Sequence, residues 1–486
     1  MSKIKNKLAW VFLLMIWGFL AVIGHVDANE NAGTMLVESV TSNLQDIAAV
    51  NSQETAEAQE IKETELYAQA AVLMDAQSGR VLYGKGQDTV LAMASTTKIM
   101  TCIITLENAD LSETAEVSSY AASMPEVKLG VRKGEQYQLG DLLYSLMLES
   151  HNDAAVVIAE HVGKQCLPEE LRMKSVADYT AEESKQAVAA FAGMMNQKAK
   201  ELGCENTWFI TPNGLDAEEV VQTESGETLE KFHSTTAQEL ACIMSYCILD
   251  SQKSAEFLQI TQTPSYTFSS ANGRNFACYN HNTFLNMMSG AISGKTGFTN
   301  RAGYCYVGAL ERDGRTFVVA LLACGWPYNK NYKWADTRKL MEYGVENYFY
   351  RSFQEGDTVV DPGWLEPIPV VGGQTDKLGE QAYVQVEIFK PGENAQEEGA
   401  HTSEKKEDDC GLTSLLMKAG EEIVVEYEKK KILTAPIEEG LTVGEVRYMV
   451  DGVTYRKEEI VTTQELEKID WQWCLDRIFC RYLGFD

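Results

Sequence analysis

Three short groups of residues carry side chains able to make and break an acyl bond. They are Ser95-Thr96-Thr97-Lys98, Ser150-His151-Asn152 and Lys295-Thr296-Gly297. A serine and a lysine three residues apart at a helix start present both side chains on one face. The positive end of the helix dipole favours negative charge developing on the serine oxygen. Burial and a neighbouring cation lower a lysine pKa, so a neutral Lys98 amine can take the Ser95 proton. Ser150 and Asn152 then extend the proton relay and hold a substrate amide. Lys295 supplies positive charge, and the Thr296 hydroxyl can bind a carboxylate. Gly297 lets a ligand lie close to an edge strand. The backbone N–H groups of Ser95 and Phe298 are the expected oxyanion hole.

Each group alone is a weak signal, as two decoys in the same chain demonstrate. Ser403-Glu404-Lys405-Lys406 repeats the first pattern inside a charged stretch, where nothing would desolvate a lysine. Ser270-Ala271-Asn272 repeats the second, in a polar stretch too near Lys295 to serve. His161, His233 and His281 are isolated and read as structural rather than as acid–base groups. There is no zinc signature.

The elements around these groups place them consistently. Ala70–Met74 and Arg80–Tyr83 read as strands joined by a turn at Asp75–Gly79. From Thr96 to Leu106 the apolar positions Ile99, Met100, Ile103 and Ile104 fit a largely buried helix. Leu139, Leu142, Leu143, Leu146 and Met147 recur at helical spacing up to Ser150, and helical character resumes from Ala154. Residues 181–202 and 235–249 also read as helices. The period then changes: Gly303–Leu310 and Thr316–Ala323 form a hairpin around Asp313-Gly314, preceded by a strand through Lys295. Strands first, helices in the middle and strands last predict one antiparallel sheet with helices on its faces, an α/β (α+β) fold. After about Arg351, short strands such as 384–388 and 423–427, with a hairpin at Asp451-Gly452, predict a small all-β domain. A charged insert at 392–411 interrupts it. Thr463–Asp486 has an amphipathic helical pattern, with Trp471, Leu475, Ile478 and Tyr482 on one face.

With motifs and elements in hand, the chain resembles the low-molecular-mass penicillin-binding proteins of the serine D-Ala-D-Ala carboxypeptidase family. The segments "AAVLMDAQSGRVLYGKGQD" and "MASTTKIMT" are similar to that family's opening hairpin and nucleophile helix. "LLYSLMLESHNDAAVVIAEHVG", "TPNGLD" and "GKTGFTNRAGYCYVGA" are similar to its middle motif, central loop and last motif. The resemblance is strong over residues 68–350 and looser beyond. It implies a penicillin-recognising, transpeptidase-like catalytic domain and acyl-enzyme chemistry with no metal or cofactor. Ser95 would be the nucleophile, Lys98 the general base and Ser150 a proton relay. Asn152 would position the substrate, and Lys295 would act electrostatically. Lys295, Thr296, Gly297, Phe298 and Thr299 would bind a peptidoglycan stem peptide ending in D-Ala-D-Ala. β-Lactam antibiotics would acylate Ser95 as inhibitors. Where the family often carries an arginine for the terminal carboxylate, Lys333 is the nearest counterpart, a less specific point charge. A class A-like β-lactamase and a non-catalytic wall scaffold are the alternatives. The long β tail argues against the first and the intact motifs against the second.

The N-terminus sets the compartment. Lys3, Lys5 and Lys7, an apolar run from Leu8 to Ile23 and small residues near Ala28 make a cleavable secretory signal over residues 1–28. Residues 29–67 read as an acidic linker. The expected location is the cell wall or the outer face of the membrane; the C-terminal helix, whose acidic residues outnumber its basic ones, reads either as a peripheral membrane contact or as docked on the protein itself. A formal charge of -29 excludes nucleic acid as a partner. Eleven cysteines, an odd number without C-x-x-C pairs, read mostly as buried free thiols rather than a disulfide framework.

Overall fold

The structure, a computed structural model, describes residues 60–222, 226, 228–353, 362–389 and 412–483. The signal segment, the linker up to residue 59 and the charged insert lie outside the described residues.

The central sheet has five antiparallel strands. They are β1 (Ala70–Asp75), β2 (Val81–Lys85), β3 (Ala291–Thr299), β4 (Gly303–Arg312) and β5 (Arg315–Leu322), in the order β3-β4-β5-β1-β2. All six residues of β1 are buried, which explains its unbroken apolar run. Successive side chains point to opposite faces, and both faces are covered. Val72 and Met74 join the larger core with Val318 and Ala320 of β5. Leu73 joins the second core with Phe317 and Val319.

The larger core is built by α1 (Lys98–Asn108), α2 (Asn152–Gly163), α3 (Ala181–Glu201) and α4 (Ala237–Ser245). Thr180 opens α3 with a capping box, its hydroxyl accepting from Glu183 N while the Glu183 carboxylate accepts from Thr180 N. The opposite face is covered by α5 (Tyr332–Asn347) through Leu340 and Met341. Leu66 is also buried in this second core, and Tyr67 stacks on Tyr332 at 3.7 Å between ring centroids.

Beyond α5 the chain is β-rich. β6 (Phe349–Ser352) pairs with β8 (Ser414–Met417), and a four-stranded sheet runs β7-β11-β10-β9. Its members are β7 (Val386–Ile388), β9 (Val424–Lys429), β10 (Thr442–Val450) and β11 (Val453–Thr462). This C-terminal all-β domain has its own core around Ile368, Val384, Val446, Tyr448 and Ile460. The stretch read as one strand at 384–388 is divided. Ala382–Val384 pairs with Ile368–Val371, whereas β7 pairs with β11. Between them, the Gln385 carbonyl turns to accept from Thr463 N. The terminal helix α6 (Trp471–Leu483) begins later than its amphipathic pattern suggests. Leu466 and Lys468 are first spent on β-bridges to Ile437 and Gly373, and Asp470 then caps the helix by accepting from Trp473 N.

Candidate active site

Ser95, the expected nucleophile, stands on a strained turn. Ala94–Thr97 is one 3-10 turn leading into α1, and Ala94 has φ 49°, unusual for a residue with a Cβ. Two glycines make room for that turn. A Cβ on Gly214 would lie 2.0 Å from the Ala94 carbonyl oxygen, and one on Gly297 would lie 2.9 Å from Ser95 N. Strand β3 and the loop carrying Gly214 can therefore close on the turn only without side chains at these two positions.

Lys98 is fully buried and its Nζ contacts three neutral acceptors. These are Ser95 Oγ at 2.9 Å, Asn152 Oδ1 at 3.0 Å and the Asn213 carbonyl at 2.5 Å. Burial, reinforced by the charge of Lys295, pushes the Lys98 pKa well below its ordinary value; Asp153 opposes the shift. Asp153 itself faces a loop beside the site, accepting from the amides of Leu129, Gly130 and Val131.

Ser150 lies between helices in the left-handed region, with φ 67°, and α2 starts at Asn152. Lys295, on β3, donates to Ser150 Oγ at 3.0 Å and to the Thr296 carbonyl. It is also buried, which lowers its pKa to about 7. Two lysines of depressed basicity thus meet the hydroxyls of two serines.

These residues open on a cleft of about 670 Å³. Ser95, Ser150, Asn152, Lys295, Thr296, Gly297, Phe298 and Thr299 all line it. Among the described residues strand β3 is an edge strand, bonded to β4 alone, so its other side can pair with an extended peptide. Thr299 donates its hydroxyl to Asp216 at 3.0 Å. Lys333 lines the far wall, packed over the rings of Tyr304 (4.6 Å) and Trp334 (4.8 Å), and its Nζ donates to the Lys330 carbonyl.

His151 does not line the cleft; its Nδ1 lies 2.8 Å from Ser145 Oγ. His161 pairs with Glu113, and His281 pairs with Glu149 at the cleft mouth. Ser270–Asn272 forms the turn of a separate hairpin, and the charged decoy lies outside the described residues. Sequence reasoning did not single out the Asn213 carbonyl, because any residue type can supply a backbone acceptor. It also passed over Asp153, Glu149 and Thr97. Among the described residues the cysteines are free thiols, most of them buried, and no group of three or more potential ligands could hold a metal ion.

The arrangement is that of an activated serine beside an open strand edge. An uncharged amine can remove the serine proton, a cation waits for an anionic substrate group, and α1 points its N-terminus at the reacting atom.

Comparison with known proteins agrees with this chemistry. The sequence profile of D-alanyl-D-alanine carboxypeptidase matches residues 53–165 and 175–323, over half of the chain. That of the penicillin-binding protein 5 C-terminal domain matches residues 385–468. D-alanyl-D-alanine carboxypeptidase DacF of Bacillus subtilis is 25% identical over 410 residues, 82% of this chain and 86% of the relative. DacB2 of Mycobacterium tuberculosis is 34% identical over 256 residues, covering 52% and 74% respectively. The structure of penicillin-binding protein 5 from Haemophilus influenzae shares the fold, with TM-score 0.57 and 21% identity over 84% of this chain and all of that one. With its profile matched over most of the catalytic region and its three motifs gathered in one cleft, the chain belongs to the D-alanyl-D-alanine carboxypeptidase family of serine peptidases.

Proposed function

We propose that this carboxypeptidase removes the terminal D-alanine from peptidoglycan stem peptides through an acyl-enzyme on Ser95. The observation that carries the reading is Lys98: a fully buried amine, 2.9 Å from Ser95 Oγ, whose hydrogen-bond acceptors are all neutral. Neutral Lys98 takes the Ser95 proton as Oγ attacks the carbonyl carbon between the two D-alanines. Charge on the carbonyl oxygen is met by the N–H groups of Ser95 and Phe298. Asn152 holds the substrate amide, while Lys295, Thr296 and Lys333 face the terminal carboxylate. Collapse expels D-alanine, whose amine takes a proton through Ser150, and water then releases the shortened peptide. A β-lactam enters the same path and stalls as an ester on Ser95.

The test uses mature protein and its Ser95→Ala variant with a muropeptide ending in D-Ala-D-Ala, followed by mass spectrometry. Loss of one alanine with wild type alone is the expected result. Trapping of labelled penicillin by wild type and not by Ser95→Ala is the companion result, and a labelled Ser95→Ala protein would overturn the nucleophile assignment.

The reading includes export through the signal segment and peripheral contact with the outer face of the membrane. Trp471, Leu475, Ile478, Phe479 and Tyr482 of α6 are exposed, which supports that contact. Deleting residues 471–486 should reduce co-sedimentation with lipid vesicles; unchanged sedimentation would remove α6 from that role.

A further inference from the structure

The turn that carries the nucleophile is held from behind by a histidine that does not line the cleft. His233 is buried against the Ala94–Thr97 turn and the loop at Ile210–Thr211. The amides of Ile210 (3.0 Å) and Thr211 (3.3 Å) both donate to its Nδ1. A ring nitrogen that accepts hydrogen bonds carries no proton, so in the neutral ring the proton sits on Nε2. Burial, with the charge of Lys98, pushes the His233 pKa down to about 3, which keeps the ring neutral. Nε2 lies 2.7 Å from Thr97 Oγ1, and the only role left to it is donor. The Thr97 hydroxyl in turn donates to the Ala94 carbonyl at 2.7 Å.

That carbonyl and the Ser95 N–H belong to the same peptide group. A hydrogen bond accepted at the C=O end polarises the group and makes its N–H a stronger donor. It also fixes the peptide plane at Ala94, whose positive φ leaves the turn otherwise strained. The chain of donors runs one way, from the Ile210 and Thr211 amides through His233 and Thr97 into the peptide that faces the reacting carbonyl.

We propose that His233 and Thr97 are positioning residues that orient and polarise the Ala94–Ser95 peptide, strengthening the Ser95 N–H as an oxyanion donor. The inference rests on Ser95 being the nucleophile. Neither residue touches substrate; both act through one backbone amide.

Thr97→Val is nearly isosteric and removes only the relaying hydroxyl. Deleting a whole oxyanion donor costs roughly 100-fold or more in kcat. Weakening one donor should therefore lower kcat and the β-lactam acylation rate by about 10-fold, leaving KM nearly unchanged. The carbonyl stretch of the acyl-enzyme, read by infrared difference spectroscopy, should move to higher wavenumber. Thr97→Ser should restore both rate and frequency, a rescue that a purely structural role would not require. Thermal melting checks that each variant is folded; if Thr97→Val does not fold, Thr97→Ala is read the same way. Wild-type acylation and an unshifted carbonyl in the folded variant, with Ser95→Ala inert to penicillin, would overturn this inference alone. A covalent penicillin adduct on Ser95→Ala would overturn the nucleophile assignment and this inference with it.

Discussion

Lys98 and Lys295 are identical side chains to which the proposed mechanism gives different work. Both are buried, and burial disfavours the charged form of each. Lys98 feels Lys295 as well, and its pKa falls further. The first proton therefore leaves Lys98, the base of the proposed mechanism, and Lys295 holds its charge up to a pH of about 7. Activity of the free enzyme needs Lys98 neutral and Lys295 charged, so kcat/KM should be bell-shaped with its alkaline limb near 7. A bound carboxylate favours the charged form of Lys295 and raises its pKa. The alkaline limb of kcat should accordingly lie at higher pH than that of kcat/KM. Coincident limbs in the two profiles would mean that Lys295 does not meet the substrate carboxylate. The side chains of this pair were legible in the sequence because serine, lysine and asparagine are chemically distinctive at fixed spacing. The Asn213 carbonyl was not, since backbone acceptors leave no mark in residue type, and Thr97 and His233 sat in plain view as ordinary residues.

At the scale of elements, helices α2 and α3 are packed around an acid that the reaction does not use. Glu160 of α2 is fully buried, accepts from Ser118 Oγ at 2.7 Å, and lies beside Ser184 of α3. Burial pushes its pKa up to about 7. Below about pH 4.5 the carboxyl is protonated in both folded and unfolded chains and costs nothing. Between 4.5 and 7 the unfolded chain has released the proton while the folded one retains it, so folding stability falls as pH rises. The full cost, about 3 kcal/mol at 1.4 kcal/mol per pH unit, is present above pH 7. Glu160→Gln keeps an acceptor for Ser118 and cannot ionise. It should raise the melting temperature at pH 8 and have little effect at pH 4.5; an equal shift at both values would show that packing, not ionisation, is responsible. The helices were legible from periodicity, and β1 from its unbroken apolar run. The split at Gln385 and the late start of α6 were not, because partners distant in sequence decide where those segments pair.

Across the whole molecule, the catalytic sheet and the β-rich C-terminal domain are fastened at one arginine. Arg80, in the turn between β1 and β2, is buried; it donates to the Leu416 carbonyl at 2.5 Å and pairs with Glu421 at 2.9 Å. The Leu416 side chain enters the core that also holds Leu73 and Leu340, while its neighbours Leu415 and Met417 enter the C-terminal core. Strand β8 therefore belongs to both halves, and the C-terminal domain is not a bead on a string. Removing one member of a buried pair leaves the other charge uncompensated, at a cost of about 3 kcal/mol. Either Arg80→Met or Glu421→Met should destabilise the protein by that amount, and the double variant by clearly less than the sum, as a double-mutant cycle in urea would read. The cleft lies on other elements, so kcat on a D-Ala-D-Ala peptide should stay within about 2-fold in each folded variant. If the two single effects simply add, the Arg80–Glu421 ion pair contributes nothing to joining the two halves, and Arg80 is held by the Leu416 carbonyl, Asp451 at 3.6 Å and the Tyr455 ring.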